Sequence, residues 1–207
     1  MAWLPFHRSA AIASAIVATG IAISVCLIAI GYGAGPVTTQ EFGNGQPILD
    51  SGGVGARPGQ SADFTAYLTN HSDVQVKFLS AALIPIPGYP TPTLAHTAII
   101  TSKNIVGSGL GWPIVPSTGF PTRPFIGGTV GRGDYNIMYG VIGTKLGTIY
   151  MSAGLIVDYE AGGQLYRVAL WTGEFTCIDA RPDIGVAACD AADLKITSLL
   201  AKAAGVS

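Results

Sequence analysis

Asp158 and Glu160 stand two residues apart in a run of alternating polarity, a spacing that puts both carboxyl groups on one face of a strand. Paired carboxylates are the apparatus of glycoside hydrolysis, one acting as acid and the other as base or nucleophile. Together with Asp134 they are the residues that a cell-wall hydrolase would use here. Against that use, a two-residue turn at Gly162-Gly163 places Arg167 opposite Asp158, which neutralises it, and leaves Glu160 at a wet hairpin tip. A solvated hairpin end is the better reading, and the chain is expected not to be an enzyme.

Other chemistries find less support. His7, His71 and His96 are too few and too dispersed for a metal cluster, and neither an HExxH nor a paired CxxC occurs. No metal and no cofactor is therefore expected. There is no GxSxG elbow, since Gly107-Ser108-Gly109 lacks both the spacing and the strand-to-helix setting, and no GxxxxGK[ST] loop. Arg132-Gly133-Asp134 spells an adhesion tripeptide, though Gly133 and Asp134 also suit the entry of a strand. Asn70-His71-Ser72 is a formal glycosylation sequon on an expected turn.

What remains is recognition by rings. Tyr89 lies in PIPGYPTP, and Trp112, Phe120 and Phe125 lie in GWPIVPSTGFPTRPF, where proline-stiffened loops can present amphipathic rings as a binding surface. The competing place for these rings is beneath the loops, closing the end of the fold. Tyr89, Trp112, Phe120 and Phe125 are the candidate binding residues.

The elements that must position them follow from composition. The 207 residues are 49% hydrophobic and 11% charged, with 28 Gly, 13 Pro and a formal net charge of -1, which excludes a disordered chain and a basic nucleic-acid binder. The apolar excess is concentrated in residues 10–30, AAIASAIVATGIAISVCLIAI, which carry no charge and would span about 31 Å as a helix, the hydrocarbon thickness of a bilayer. His7 and Arg8 precede this run and no Lys or Arg follows until Arg57, so residues 1–9 are expected to be cytoplasmic and the remainder exported. A cleaved secretory signal is the alternative, but signal h-regions are shorter than this run. Residues 10–30 are therefore read as a signal anchor whose partner is the lipid bilayer. Gly20 and Ser24 form a small-xxx-small pair through which two such helices could associate.

Residues 31–60 are rich in Gly, Pro, Asn and Ser and read as a flexible linker with a short strand at 47–49. Residues 61–207 form the expected extracellular domain. Asp63 to Tyr67 and Val74 to Phe78 alternate on either side of a polar turn, which predicts a β-hairpin with one wet face. Further strands are expected up to Ile86, over Leu94 to Thr101 and over Tyr135 to Ile142. The Gly/Pro stretch from Gly107 to Gly133 reads as a long loop hiding at most one short strand. In the last hairpin the two-residue turn pairs Tyr159 with Tyr166, Val157 with Val168 and Leu155 with Leu170, whereas a three-residue turn would oppose Val157 to Arg167. With a short helix over Asp190 to Ala204, these strands predict an antiparallel all-β sandwich. Cys177 and Cys189, the only cysteines beyond the apolar run, are expected to form a disulfide in an oxidising compartment.

The run AYLTNHSDVQVKFLSAALIPIPGYP, followed by YGV, GLIVDYEAGGQLYRVALW and a cysteine, resembles the ectodomains of uncharacterised membrane-anchored proteins of high-GC Gram-positive bacteria. The resemblance covers roughly residues 62–177 and implies an immunoglobulin-like sandwich with no catalytic residues. The expectation is thus a non-catalytic single-pass envelope protein that binds or supports an envelope protein or polymer, the alternative to a hydrolase being a structural subunit of a membrane complex. Without Arg8 the exported part has 10 basic and 12 acidic residues, so recognition by shape and rings is favoured over recruitment by charge.

Overall fold

A computed structural model of the chain describes residues 35–39, 50–100, 108–111 and 121–179, with Cys189, Lys195, Ile196, Ser198 and Leu199. The chain divides into Met1–Ala34 and Gly35–Ser207, and every described residue lies in the second unit. The expected anchor at 10–30 lies outside the described residues. Among those described, no helix is long and apolar enough to cross a membrane.

The fold is an all-β sandwich. Its strands are β1 (Val37–Thr39), β2 (Asp50–Ala56), β3 (Ser61–Asn70), β4 (Val76–Pro85), β5 (Thr93–Ile100), β6 (Gly109–Leu110), β7 (Thr122–Pro124), β8 (Thr129–Val130), β9 (Gly133–Ile142), β10 (Ile149–Ala161) and β11 (Gln164–Ile178). One sheet has the order β1-β3-β9-β5-β7, with β6 also on β3, and the other the order β2-β11-β10-β4-β8. All pairings are antiparallel except that of β2 with β11. Between the sheets, Phe64, Leu68 and Tyr139 meet Phe78, Leu155, Val157, Tyr159 and Leu170 in one core.

The β10–β11 hairpin follows from its sequence. Ala161 pairs with Gln164 across Gly162 and Gly163, both at positive φ (58° and 78°), the backbone of a two-residue turn that only glycine adopts readily at both positions. The register sets Tyr159 against Tyr166, Val157 against Val168, Leu155 against Leu170 and Asp158 against Arg167. Toward the other end, a register shift between Ser152 and Gly154 exchanges the faces of β10. Leu155, Val157 and Tyr159 pack inside the sandwich, whereas Met151 and Ala153 join a second apolar cluster on the outer face of the sheet.

Three expectations are corrected. Residues 37–39 and 50–56, which composition reads as linker, are strands, and β2 runs parallel to β11 along seven residues. The glycines of β2 serve packing: a Cβ on Gly53 would stand 1.9 Å from the Phe175 ring, which lies over it. The strand expected at 47–49 is outside the described residues. Secondly, β3 and β4 do not pair as a hairpin but belong to opposite sheets. The corner between them is organised by buried Asn70, whose Nδ2 donates to the carbonyls of Val74 and Gly131, both at 3.0 Å, while its Oδ1 accepts from Ser72 N. Both amide hydrogens of Asn70 are thereby engaged in the interior, so this sequon does not present an acceptor to solvent. Thirdly, the Gly107 to Gly133 stretch contains three short strands, β6, β7 and β8. Of the expected C-terminal helix, Lys195, Ile196, Ser198 and Leu199 have helical backbone, and the remainder of 190–204 lies outside the described residues.

Candidate functional site

Two places combine polar or aromatic side chains in a way that bears on function. The first is inside the sandwich. The Tyr139 hydroxyl, on β9, donates to Glu174 Oε2 on β11 and lies 2.9 Å from Thr172 Oγ1. Thr172 Oγ1 is itself 3.4 Å from Glu174 Oε2. Glu174 is 1% exposed, and burial pushes its carboxyl well above the usual carboxylate range, which favours the neutral acid. Such a group hydrogen-bonds one sheet to the other, away from solvent.

The second place is the outer face of the five-stranded sheet, at the end away from the Gly162-Gly163 turn. Ile86, Met151, Ala153, Phe175, Cys177 and Ile196 are buried there, with Tyr89, Trp171, Ile84 and Leu199 half-buried over them. Tyr89 is positioned by a tight turn in which its N–H donates to Ile86 O at 3.2 Å. Pro87 and Gly88 are the central residues of that turn, and Gly88 has φ 86°, the pattern of proline followed by glycine that a type II turn requires. Pro90 O accepts from Met151 N at 3.1 Å and ties the loop to β10. The Lys195 ammonium stands 5.3 Å from the centre of the Tyr89 ring, a cation–π distance. The disulfide between Cys177 and Cys189, with Cα atoms 6.0 Å apart, fastens Cys189 to this face. The result is an apolar cluster on the outer face in which Tyr89 and Trp171 are half-buried beside Ile196 and Leu199, with the Lys195 cation at the Tyr89 ring.

The four rings singled out in the sequence do not converge. Tyr89 belongs to this outer surface. Phe125 takes the other place open to it, in the core, at 1% exposure and stacked on Phe78 with centroids 4.7 Å apart. It is thus an interior ring with no surface to offer a partner. Trp112 and Phe120 lie outside the described residues. Trp171 was missed, although the hairpin register carries a signal for it. With Leu170 turned inward, Trp171 must fall on the outer face, where a tryptophan has no place in a simple wet strand.

Asp158 and Glu160 remain together on the outer face of β10, and only Asp134 is set apart from them by the fold. Asp158 accepts from Arg167 Nε at 2.6 Å, from Arg167 Nη2 at 3.1 Å and from Ser80 Oγ at 2.7 Å, and the Arg167 bond chiefly holds its pKa below the usual range. Asp134 is on the other sheet and accepts from Thr69 Oγ1 at 2.7 Å. In the tripeptide Arg132-Gly133-Asp134 the arginine pairs with Asp73 at 3.4 Å across an exposed turn. His71 bonds Thr38 Oγ1 at 2.8 Å, and His96 is exposed on β5. Among the described residues no group of three or more His, Cys, Asp or Glu side chains could hold a metal ion.

No family model matches the chain. No curated protein matches it. Similar solved structures include two of low sequence identity. The CooA pilin subunit of enterotoxigenic Escherichia coli is 11% identical with a TM-score of 0.34, over 70% of this chain and 99% of that one. The Vibrio cholerae VesB protease is 12% identical with a TM-score of 0.25, over 62% of this chain and 30% of that one.

Proposed function

We propose that this chain is a non-catalytic, membrane-anchored envelope protein whose exported sandwich, of immunoglobulin-like kind, docks another envelope component. Residues 10–30 anchor it with the N-terminus cytoplasmic, and the partner is a protein or polymer held by contact with Tyr89 and Trp171. The observation that carries this reading is the outer face itself: two half-buried rings in an apolar cluster to which a disulfide ties Cys189. Rings of this kind supply large contact area at small entropic cost and are enriched where partners meet. The disulfide supports export, because such bonds persist in oxidising compartments. Asp158, held by Arg167 and Ser80, is engaged in structure.

The test is cross-linking on intact cells, with a photoreactive residue at position 84 or 199 beside the rings and at Leu146 as a remote control. A discrete adduct is expected beside the rings and not at position 146. It should be lost in Tyr89→Ala and Trp171→Ala variants that keep the wild-type melting temperature. Adducts unaffected by both substitutions would overturn the assignment of this face.

A further inference from the structure

The chain after β11 is fastened to the sandwich in two different ways. Up to Asp179 the fastening is backbone hydrogen bonding: Gly147 N donates to Ile178 O at 2.8 Å, Ile178 N to Thr148 O at 3.0 Å and Asp179 N to Ala56 O at 2.9 Å. Beyond Asp179 the described attachments are made by side chains. Cys189 is bonded to Cys177, Ile196 is 0% exposed in one cluster with Ile86, Met151, Ala153 and Phe175, and Leu199 packs against the same cluster. Lys195 stands over the Tyr89 ring. Cys189, Ile196 and Leu199 have helical backbone, and their separations of seven and three residues are those of one helix face.

These side chains join a cluster that the sandwich core does not share. The register shift between Ser152 and Gly154 turns Met151 and Ala153 to the outer face while Leu155, Val157 and Tyr159 stay inside, so the two clusters have no residue in common. The core between the sheets is complete without Ile196. An isolated helix shorter than about 12–15 residues is marginal in water, so docking on the sheet is what keeps helical backbone at Ile196 and Leu199. The disulfide keeps them near: with a sequence separation of 12 it closes a short loop. Its two sulfurs differ in access. Cys177 is 3% exposed and Cys189 is half-buried, so an attacking thiolate meets Cys189 first.

We infer that the segment bearing Cys189, Ile196 and Leu199 is a redox-held strap, which a dithiol reductant releases from the outer face while the sandwich stays folded. One thiolate of the reductant attacks Cys189 Sγ to form a mixed disulfide, and Cys177 Sγ leaves as a thiolate that takes up a proton. The second thiolate of the reductant then displaces Cys189 Sγ, which is protonated in turn. The reductant ends as its own disulfide, having supplied two electrons and two protons. Release uncovers Met151 and Phe175 and parts Lys195 from the Tyr89 ring. The strap depends neither on the anchor nor on the partner proposed above.

The experiment uses the full chain with Cys26→Ser in detergent micelles, which leaves a single cysteine pair. Digestion by a lysine-specific protease is followed by mass spectrometry with and without a dithiol. Lys195 reports on the strap and Lys77, within β4, on the sandwich. Cleavage after Lys195 should quicken ~100-fold on reduction, the factor that corresponds to the closure entropy of a loop this short, while Lys77 stays uncut. The Cys177→Ser, Cys189→Ser double variant should be cut at Lys195 at the fast rate whether or not dithiol is present. Peroxide should oxidise its Met151 faster than Met151 of the bonded chain, with buried Met138 as the control. Cleavage at Lys195 that is equally slow, or equally fast, in both redox states would overturn the inference. So would cleavage at Lys77 that rises together with that at Lys195, because reduction would then have unfolded the sandwich.

Discussion

The hydroxyl of Tyr139 and the carboxyl of Glu174 hydrogen-bond across the interior of the sandwich, one from each sheet. Thr172 shares the same carboxylate oxygen, while Glu174 Oε1 has no hydrogen-bond partner among the described residues. A neutral acid is tolerated in this setting and an ion is not.

Stability should therefore fall as pH rises. The unfolded chain loses the Glu174 proton in the ordinary carboxylate range, whereas the folded chain keeps it to a much higher pH. Between those two values the folded state binds more protons than the unfolded state, so the free energy of unfolding declines with pH. Denaturant midpoints measured upward from pH 4 should show the decline, and Glu174→Gln should flatten it. Tyr139→Phe, which removes the cross-sheet donor, should cost about 1–3 kcal/mol.

The Asp158 pair works in the opposite direction and weakly. Its folded pKa is lowered, so its contribution is present above the ordinary carboxylate range and is lost as pH falls through the folded value. Both partners are partly exposed, so solvent screening limits Asp158→Asn to a loss of less than about 1 kcal/mol. Urea unfolding near neutral pH, at low and high salt, measures it, and salt should shrink the difference.

Glycines at positive φ should separate by crowding. A Cβ on Gly154 (φ 131°) would stand 2.0 Å from the Leu170 carbonyl oxygen, whereas one on Gly163 (φ 78°) would meet nothing within 4 Å. Gly163→Ala should cost about 1 kcal/mol from backbone strain alone, and Gly154→Ala at least about 3 kcal/mol. Chemical denaturation of the two variants checks the order.

These residues also show what sequence could and could not reveal. The β10–β11 register was legible because the turn glycines fix the loop length and only one register makes all the pairs compatible. The role of β2 was not legible. DSGGVGA has no apolar period, and its parallel partner lies more than a hundred residues away. The pairing of β3 was misread because alternation assigned Asp63 and Thr65 to a wet face, yet both are buried. Tyr89 was legible as a ring in a proline turn. The outward direction of Trp171 was legible from the same register, but its apolar surroundings and the buried Glu174 were not, because the bulge beside Gly154 and the sheet-to-sheet contact that set them are tertiary features.

The disulfide closes a segment with a sequence separation of 12 and holds Cys189 to the outer cluster. Its reduction should lower stability by about 3 kcal/mol, in keeping with the closure entropy of a short loop. Melting curves with and without reductant, compared with a Cys177→Ser, Cys189→Ser double variant, give the value; the double variant should not respond to reductant.

Retention of the anchor with the sandwich on the oxidising side is the central claim, and an intact mass from the membrane fraction, taken before and after reduction, tests it most directly. The expected result is the mass of the whole chain, 21.2 kDa, increasing by the mass of one hydrogen pair on reduction. A mass lacking the first ~30 residues, the length of a cleaved secretory signal, or one unchanged by reductant, would contradict it.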